Sequence, residues 1–366
     1  MPRRTGTHLG SLVDMLIPED DFPLHQAALP LAHTMDGHPN AYDRFWFNGY
    51  TEEYYFAVAL GLYPNRGVID AAFSVVDAGQ QRSVFSGDRL TGRETEVGAV
   101  RIEILEPLRV NRVIVNAPQQ GLRADLMYTR RSDAFEEPRQ TLHDGPRIFL
   151  DVTRATQVGT WEGWIETPDR RIEVLPGTYG TKDRSWGVRP VGEALPGAPG
   201  TRAPQLCFWW APLNFENGAV HFMSFDDSHG RPLSRSVQER PLEGLGDAIH
   251  HSGHLVLQTL SGTRRPQSAQ LVLDDESIEL EPLFRFHMRG AGYGHPTYSH
   301  GRWHGEAFTD GEVLVVDDLD PLAFPNLHIQ QIVRATRGTQ VGLGVLESII
   351  VGPYTPMGLE GLLNGA

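Results

Sequence analysis

The segment from Gly177 to Pro190, GTYGTKDRSWGVRP, concentrates side chains of types that perform acid–base chemistry. It contains a single carboxylate, Asp183. Cations, a hydroxyl and an indole lie within six residues of that carboxylate: Lys182, Arg184, Ser185, Trp186 and Arg189. Glycines at both ends of the segment permit tight turns and close approach of neighbouring backbone.

Alternation along this segment separates Asp183 from two of its cations. If residues 181 to 186 are extended, Asp183 and Ser185 share one face. The opposite face then carries Lys182, Arg184 and Trp186. We predict that Asp183 and Trp186 are buried near a junction between domains, with Arg184 or Arg189 holding the carboxylate. A carboxylate placed in this way is either an architectural ion pair or a general acid, and neighbouring cations favour the first role by lowering its pKa.

A second candidate carboxylate, Glu347, lies in the apolar run GLGVLESIIVG. Desolvation raises the pKa of a lone carboxylate in such a strand, which suits a general acid working near neutral pH. Alternatively, Glu347 points outward or pairs with Arg334 on an adjoining strand. Asp183 is therefore our first catalytic candidate and Glu347 our second.

Aromatic residues provide candidate walls for a ligand pocket. Trp209 and Trp210 lie in FWWAP, and Tyr55 follows two glutamates. These side chains either pack in a core or line an apolar pocket, where their π faces would stabilise a developing carbocation. We add Trp186 and Arg189 to the candidate substrate-binding residues.

Three histidines, His295, His300 and His304, lie in GYGHPTYSHGRWHGE. Their spacing falls on glycine-broken backbone with no cysteine nearby, so we expect no zinc site. The alternatives are ordinary loop packing and a histidine–aromatic patch at a barrel mouth, in which His300 and Trp303 contact substrate. Phosphate loops, nucleophile elbows and dinucleotide fingerprints are absent from the sequence, and we expect no cofactor.

Composition limits the classes of protein that this chain can belong to. Of its 366 residues, 40% are hydrophobic and 21% charged, which indicates a globular protein. The net charge of −14 argues against binding to nucleic acid or to an anionic membrane surface. The apolar windows fall short of the ~20 residues of a membrane span, and the one cysteine, Cys207, excludes an internal disulfide framework. We expect a cytoplasmic protein and leave a homodimer open.

Short runs of aromatic and β-branched residues between turn residues predict strands along both halves of the chain. The 39 glycines and 26 prolines suit many turns. Residues 190–204 have the Gly/Pro-rich composition of a linker. We predict an all-β protein of two packed lipocalin-like antiparallel barrels with few short helices. Residues 1–189 would form an N-terminal barrel with an N-terminal arm, and residues 205–366 a C-terminal barrel.

The run TKDRSWGVR resembles the D-x-x-W-G-x-R signature of the carotenoid 1,2-hydratase (hydroxyneurosporene synthase) and AttH-like families. Those are two-domain lipocalin-like, or calycin, proteins in which the motif follows the first barrel. The resemblance implies a hydratase, or in looser relatives a cyclase or isomerase, acting without a redox cofactor on an isoprenoid-like or polycyclic molecule. The competing hypothesis is a non-catalytic binding protein for an apolar small molecule. A carbohydrate-active β-sandwich is less favoured because the sequence flags no acidic pair.

Overall fold

The computed structural model describes residues 16–25, 37–191, 197–200 and 204–366, and its regular structure is antiparallel β-strand. Helical structure in these ranges is confined to short 3₁₀ turns: Pro18–Asp21, Pro64–Arg66, Pro118–Gln120, Val316–Asp318, Phe324–Asn326 and Thr355–Met357. The predicted all-β class with few short helices is thereby confirmed. Most of the predicted N-terminal arm and part of the predicted linker lie outside the described residues. Across the described ranges, no helix has the length and apolarity needed to span a bilayer.

Twelve strands precede the predicted linker. In chain order they are β1 (Ala41–Tyr50), β2 (Tyr54–Tyr63), β3 (Val68–Asp77), β4 (Gln80–Arg89), β5 (Glu96–Val97), β6 (Val100–Glu106), β7 (Val110–Ala117), β8 (Leu122–Arg130), β9 (Phe135–Glu136), β10 (Gln140–Asp144), β11 (Arg147–Glu166) and β12 (Arg171–Val188). The polar, proline-bearing segment 133–147, whose sequence predicts a loop, therefore contains β9, the whole of β10 and the first residue of β11.

Ten strands follow it. They are β13 (Leu206–Phe215), β14 (Gly218–Asp226), β15 (Pro232–Pro241), β16 (Ile249–His250), β17 (Gly253–Thr259), β18 (Pro266–Leu273), β19 (Glu276–His287), β20 (Phe308–Val315), β21 (Ile329–Arg337) and β22 (Gln340–Val351).

The strands form two sheets, the first of which curls into a half-barrel. Its order is β20-β4-β3-β2-β1-β12-β11-β8-β7-β6-β5, with β9 and β10 also paired to β11. The second sheet has the order β16-β15-β14-β13-β22-β21-β19-β18-β17. Strand β20 therefore comes from the second half of the chain but extends the edge of the first sheet, beside β4.

Alternating side chains of the central strands divide the interior into separate cores. On β2, Phe56 and Val58 face a core enclosed by the first sheet, whereas Tyr55 faces the opposite way. On β13, Trp209 faces a core of the second sheet, whereas Trp210 again faces the opposite way. Tyr55, Trp210 and the other side chains that point in this direction meet between the sheets in a third cluster, which we call the inter-sheet core. Both faces of β1 and β2 are buried for this reason, and β2 is a continuous apolar run, whereas β1 also buries the polar side chains of Asp43, Arg44 and Asn48.

Strand β12 lies between β1 and β11 and carries the segment singled out from the sequence. Its Gly180 packs directly against Trp161: a Cβ at this position would lie 2.2 Å from Trp161 Nε1 and 2.3 Å from the carbonyl oxygen of Asn48. Only glycine allows this approach. Gly180 is thus one of the glycines of this segment that permits close approach of neighbouring groups.

The register of the three strands places six side chains in a grid on the face toward the second sheet. Asp183 of β12 stands opposite Trp46 of β1 and Thr156 of β11. Ser185 stands opposite Arg44 and Arg154. Residues directly opposite each other on neighbouring strands share a face. This grid supplies the first-sheet side of the site described below.

Candidate functional site

A cavity of about 280 Å³ lies between the two sheets, within the inter-sheet core. Its walls are mostly apolar, with seven aromatic contributors: Trp46, Phe149, Phe208, Trp210, Phe225, Tyr293 and Phe324. The charged residues on its wall are Arg44, Arg154, Asp183, Arg189 and Glu347. An apolar concavity with a few convergent polar groups is the usual form of a small-molecule site. Both carboxylates chosen from the sequence therefore line one cavity, and that cavity lies between the sheets and not inside either of them.

Asp183 is a buried carboxyl group with 7% of its surface exposed. Its Oδ2 lies 3.1 Å from Nε of Arg154. Burial nevertheless raises the pKa of Asp183 to about 7, because desolvation outweighs the attraction of Arg154 and the charges of Glu137 and Glu347 act in the same direction as burial. Asp183 is thus a carboxyl group that holds its proton up to neutral pH inside an apolar cavity.

Arg154 is held from its other side by Glu137, a carboxylate in the short segment between β9 and β10. Nη1 of Arg154 lies 3.1 Å from Oε2 of Glu137. The other oxygen of Glu137 accepts hydrogen bonds from Thr156 Oγ1 at 2.7 Å and Trp210 Nε1 at 2.9 Å. Burial acts to raise the pKa of Glu137, but Arg154 and the nearby His221 outweigh it and hold the pKa at about 2. Glu137 is therefore ionised at neutral pH, and Arg154 is paired with both Glu137 and Asp183.

Glu347 belongs to a second polar group on the opposite wall of the cavity. Its Oε1 lies 2.8 Å from Nε2 of His328, and its Oε2 accepts a hydrogen bond from Nε2 of Gln330 at 2.5 Å. Tyr55 donates its hydroxyl proton to Oε1 of the same Gln330, also at 2.5 Å. Burial acts to raise the pKa of Glu347, but His328, Gln330 and Arg154 together lower it. The two candidate carboxyl groups are thus shifted in opposite directions.

Two of the ion pairs considered from the sequence do not form. Asp183 pairs with Arg154, and Arg184 instead contacts Asp43 at 2.8 Å on the other face of β12. Glu347 pairs with His328, and Arg334 instead binds Glu52 and Glu281 near the surface. Arg184 fails to reach Asp183 because neighbours in sequence along a strand point to opposite faces. Arg334 fails to reach Glu347 because of register: Arg334 stands opposite Leu343, whereas Gln330 stands opposite Glu347.

The remaining candidate residues divide between the cavity and other places. Trp210 and Arg189 line it, whereas Tyr55 is off the wall and is linked to Glu347 by hydrogen bonds through Gln330. Trp209 packs inside the second sheet. Trp186 is half-buried on the far face of β12, where its ring meets His25 edge-on. Trp303 is 45% exposed and stacks on Arg89, so it does not contribute to the cavity wall.

The three histidines of the GYGHPTYSHGRWHGE segment have different partners. Nε2 of His295 lies 3.4 Å from Glu312, His300 contacts the hydroxyl of Tyr63 at 3.2 Å, and His304 stacks on Phe308. His300 is buried but is not on the cavity wall. Within the described ranges, no group of three or more acidic, histidine or cysteine side chains is arranged to hold a metal ion.

Sequence reasoning missed four residues of the site: Glu137, Arg154, His328 and Arg44. One signal was available for two of them. If the strand containing GTWEGWIE is extended backwards through DVTRATQV, Arg154 falls on the same face as Thr156. If the strand FWFNGY is extended backwards by one residue, it includes Arg44, on the same face as Trp46. Glu137 had no such signal, because it lies in a polar, proline-bearing segment between very short strands.

Solved structures share this fold over most of the chain. An AttH-like protein from Nitrosomonas europaea superposes with a TM-score of 0.56 at 13% identity, covering 84% of this chain and 92% of that one. Kievitone hydratase from Nectria haematococca superposes with a TM-score of 0.50 at 12% identity, covering 86% of this chain and 90% of that one. Both likenesses confirm that the chain has the fold that the sequence resemblance implied.

At the level of sequence, no curated protein matches this chain. A model of a family of unknown function, DUF8625, matches residues 16–360. That match spans most of the chain, and the protein therefore belongs to the DUF8625 family.

Proposed function

We propose that this protein is an enzyme of the hydratase type that protonates an apolar, isoprenoid-like or polycyclic molecule in the inter-sheet cavity. The observation that carries the proposal is the pair of carboxyl groups that line one cavity from opposite walls and have opposite pKa shifts. Asp183 keeps its proton to about pH 7, whereas the pKa of Glu347 is lowered. Carboxyl groups whose environments separate their pKa values in this way are suited to act as acid and base.

Asp183 is the proton donor in this scheme. Its carboxyl O–H bond breaks as a C–H bond forms at one carbon of a substrate double bond, and the other carbon becomes cationic. The π faces of Trp46, Trp210 and Phe208 surround the space in which that charge develops. Arg154, 3.1 Å from Asp183, stabilises the carboxylate that the proton transfer leaves behind.

Water completes the reaction by forming a C–O bond to the cationic carbon. The surplus proton of that water passes to the Glu347–His328 pair, and proton exchange within the cavity restores the Asp183 acid. The sum is the addition of one water molecule across one double bond. If an internal nucleophile attacks or a proton is lost instead, the same first step gives cyclisation or isomerisation.

The experiment incubates the purified protein with a panel of isoprenoid alkenes in isotopically labelled water and detects products by mass spectrometry. The proposal expects label in the product of the wild-type protein, and a loss of about 100-fold or more in Asp183→Asn. Asp169→Asn, an exposed turn aspartate whose side chain is 74% accessible, is the matched control and should react normally.

Equal turnover by Asp183→Asn and the wild-type protein would overturn the proposal. Tight binding of panel members without any chemical change in them would favour the alternative, a binding protein for an apolar small molecule. Melting curves of each variant separate loss of chemistry from loss of folding.

A further inference from the structure

Two arginines on the cavity wall have guanidinium N–H groups without an acceptor. Arg44 and Arg189 are each 6% exposed. Among the described residues, Nε of Arg44 and both Nε and Nη2 of Arg189 have no hydrogen-bond partner. Arg44 donates from Nη2 to the carbonyl oxygen of Ala291, and Arg189 rests on the ring of Tyr42 at 4.1 Å. Neither contact neutralises a positive charge.

Other buried cations of the first sheet are neutralised. Lys182 contacts Asp21, Arg184 contacts Asp43, and Arg154 contacts both Glu137 and Asp183. A buried charge without a partner is costly, and proteins normally pair such groups. Arg44 and Arg189 therefore differ from these three cations, since neither makes an ion pair with a described residue, and both line the cavity.

The carboxylates nearest to these arginines are already engaged. Asp70 accepts hydrogen bonds from the backbone N–H of Gly301 at 2.5 Å and from Tyr63 at 3.2 Å. Asp183 contacts Arg154. Burial and the positive charge of Arg189 both act to lower the pKa of Arg44, as repulsion between two like charges in one cavity wall would. An anion entering the cavity would relieve this repulsion.

We propose that Arg44 and Arg189 bind the carboxylate of an otherwise apolar ligand and so position it beside Asp183. This inference rests on the proposed function, since it names the substrate class of the same cavity. The planar fork of a guanidinium group matches the two oxygens of a carboxylate. The aromatic walls suit the rest of such a molecule. A phosphate dianion fits less well, because its second negative charge would lie in the same cavity as the ionised Glu347.

The test measures binding of three probes that share one apolar chain: farnesoic acid, farnesol and farnesyl phosphate. Quenching of tryptophan fluorescence reports binding, because Trp46 and Trp210 line the cavity. We expect the wild-type protein to bind the acid about tenfold or more tightly than the alcohol, and more tightly than the phosphate. The preference for the acid should disappear in Arg189→Gln and in Arg44→Gln, with the affinity for farnesol retained. Arg89→Gln, which changes an exposed arginine outside the cavity, should keep the preference.

Equal binding of acid and alcohol by the wild-type protein would overturn the inference, and this comparison needs no variant to fold. Failure of all three probes to bind would overturn it as well. Tighter binding of farnesyl phosphate than of farnesoic acid would show that the two arginines bind a phosphate and not a carboxylate. The proposed function fails separately: an acid preference together with Asp183→Asn activity equal to wild type would keep this inference and reject acid catalysis by Asp183.

Discussion

Nε of Arg154 lies 3.1 Å from Oδ2 of Asp183 on the wall of the inter-sheet cavity. The same guanidinium contacts Glu137 through Nη1, so one cation serves two buried carboxyl groups. Glu137 also accepts hydrogen bonds from Thr156 and Trp210, and it retains its negative charge, whereas Asp183 retains its proton to near neutral pH. This unequal sharing is the physical basis of the role proposed for Asp183.

Loss of Arg154 should strongly destabilise the fold. Arg154→Met leaves the buried charge of Glu137 without its main cation, and removing one partner of a buried pair costs about 3–5 kcal/mol. Thermal unfolding checks this. Arg139→Gln is the control, because Arg139 makes a similar pair with Asp151 but is 64% exposed. Its effect should be at most about 1 kcal/mol. Equal losses in the two variants would show that Arg154 is not the central cation of the site.

Stability should depend on pH through Asp183. Because the folded-state pKa is raised from 3.8 to about 7, the folded protein keeps a proton that the unfolded chain has released. The stabilisation contributed by that proton is complete below pH 3.8, declines as pH rises toward 7 and is absent above it. Relative to Asp183→Asn, the wild-type protein should therefore lose on the order of 4 kcal/mol across this window. Melting temperatures of both proteins from pH 4 to 8 check the sign. A difference that stays constant with pH would contradict the raised pKa.

Glu137→Gln should lower the pKa of Asp183. The negative charge of Glu137 raises that pKa. Removal of this charge also leaves Asp183 as the sole carboxyl group paired with Arg154 among the described residues. Any activity or ligand binding that requires protonated Asp183 should then be lost at a lower pH than in the wild-type protein. A pH profile measures the shift, with Glu162→Gln, an exposed residue of β11, as control. A profile shifted to higher pH would show that Glu137 acts in some other way.

The opposite face of β12 should matter for folding and not for ligands. Lys182 is buried beside Asp21, with 1% of its side chain exposed, and its ammonium group donates a hydrogen bond to Asn111 at 2.8 Å. Lys182→Met strands the Asp21 carboxylate and should cost about 3–5 kcal/mol. Affinity per folded molecule for farnesoic acid should remain unchanged. A double variant that also carries Asp21→Asn should recover part of the stability. Loss of affinity in folded Lys182→Met would contradict the separation of the two faces.

The fold class and the central segment were accessible from sequence because both depend on local patterns. Alternation along TKDRSW predicts Asp183 and Ser185 on one face of the strand and Lys182 and Arg184 on the other, and the structure has this arrangement. The partners of Asp183 were not accessible, because they depend on register between strands that are distant in the chain. Arg154 reaches Asp183, and Arg44 reaches the same cavity wall, through the pairing of β11 and β1 with β12, and no local pattern fixes that register.

The position of the cavity could also not be predicted from the sequence. Alternating strands predict that each sheet encloses a core, but they do not predict that the opposite faces of β1 and β13 meet. Trp209 and Trp210 illustrate this, because adjacent tryptophans enter different cores and only Trp210 lines the cavity.

Direct titration of the Asp183 carboxyl group tests the central claim. Protein labelled with ¹³C at aspartate side chains is titrated by NMR, and the resonance that disappears in Asp183→Asn is assigned to Asp183. We predict a midpoint near the value of about 7 set by burial between the sheets. A midpoint at or below the ordinary value of 3.8 would contradict the account, since Asp183 would then be an ionised partner of Arg154 with no proton to donate.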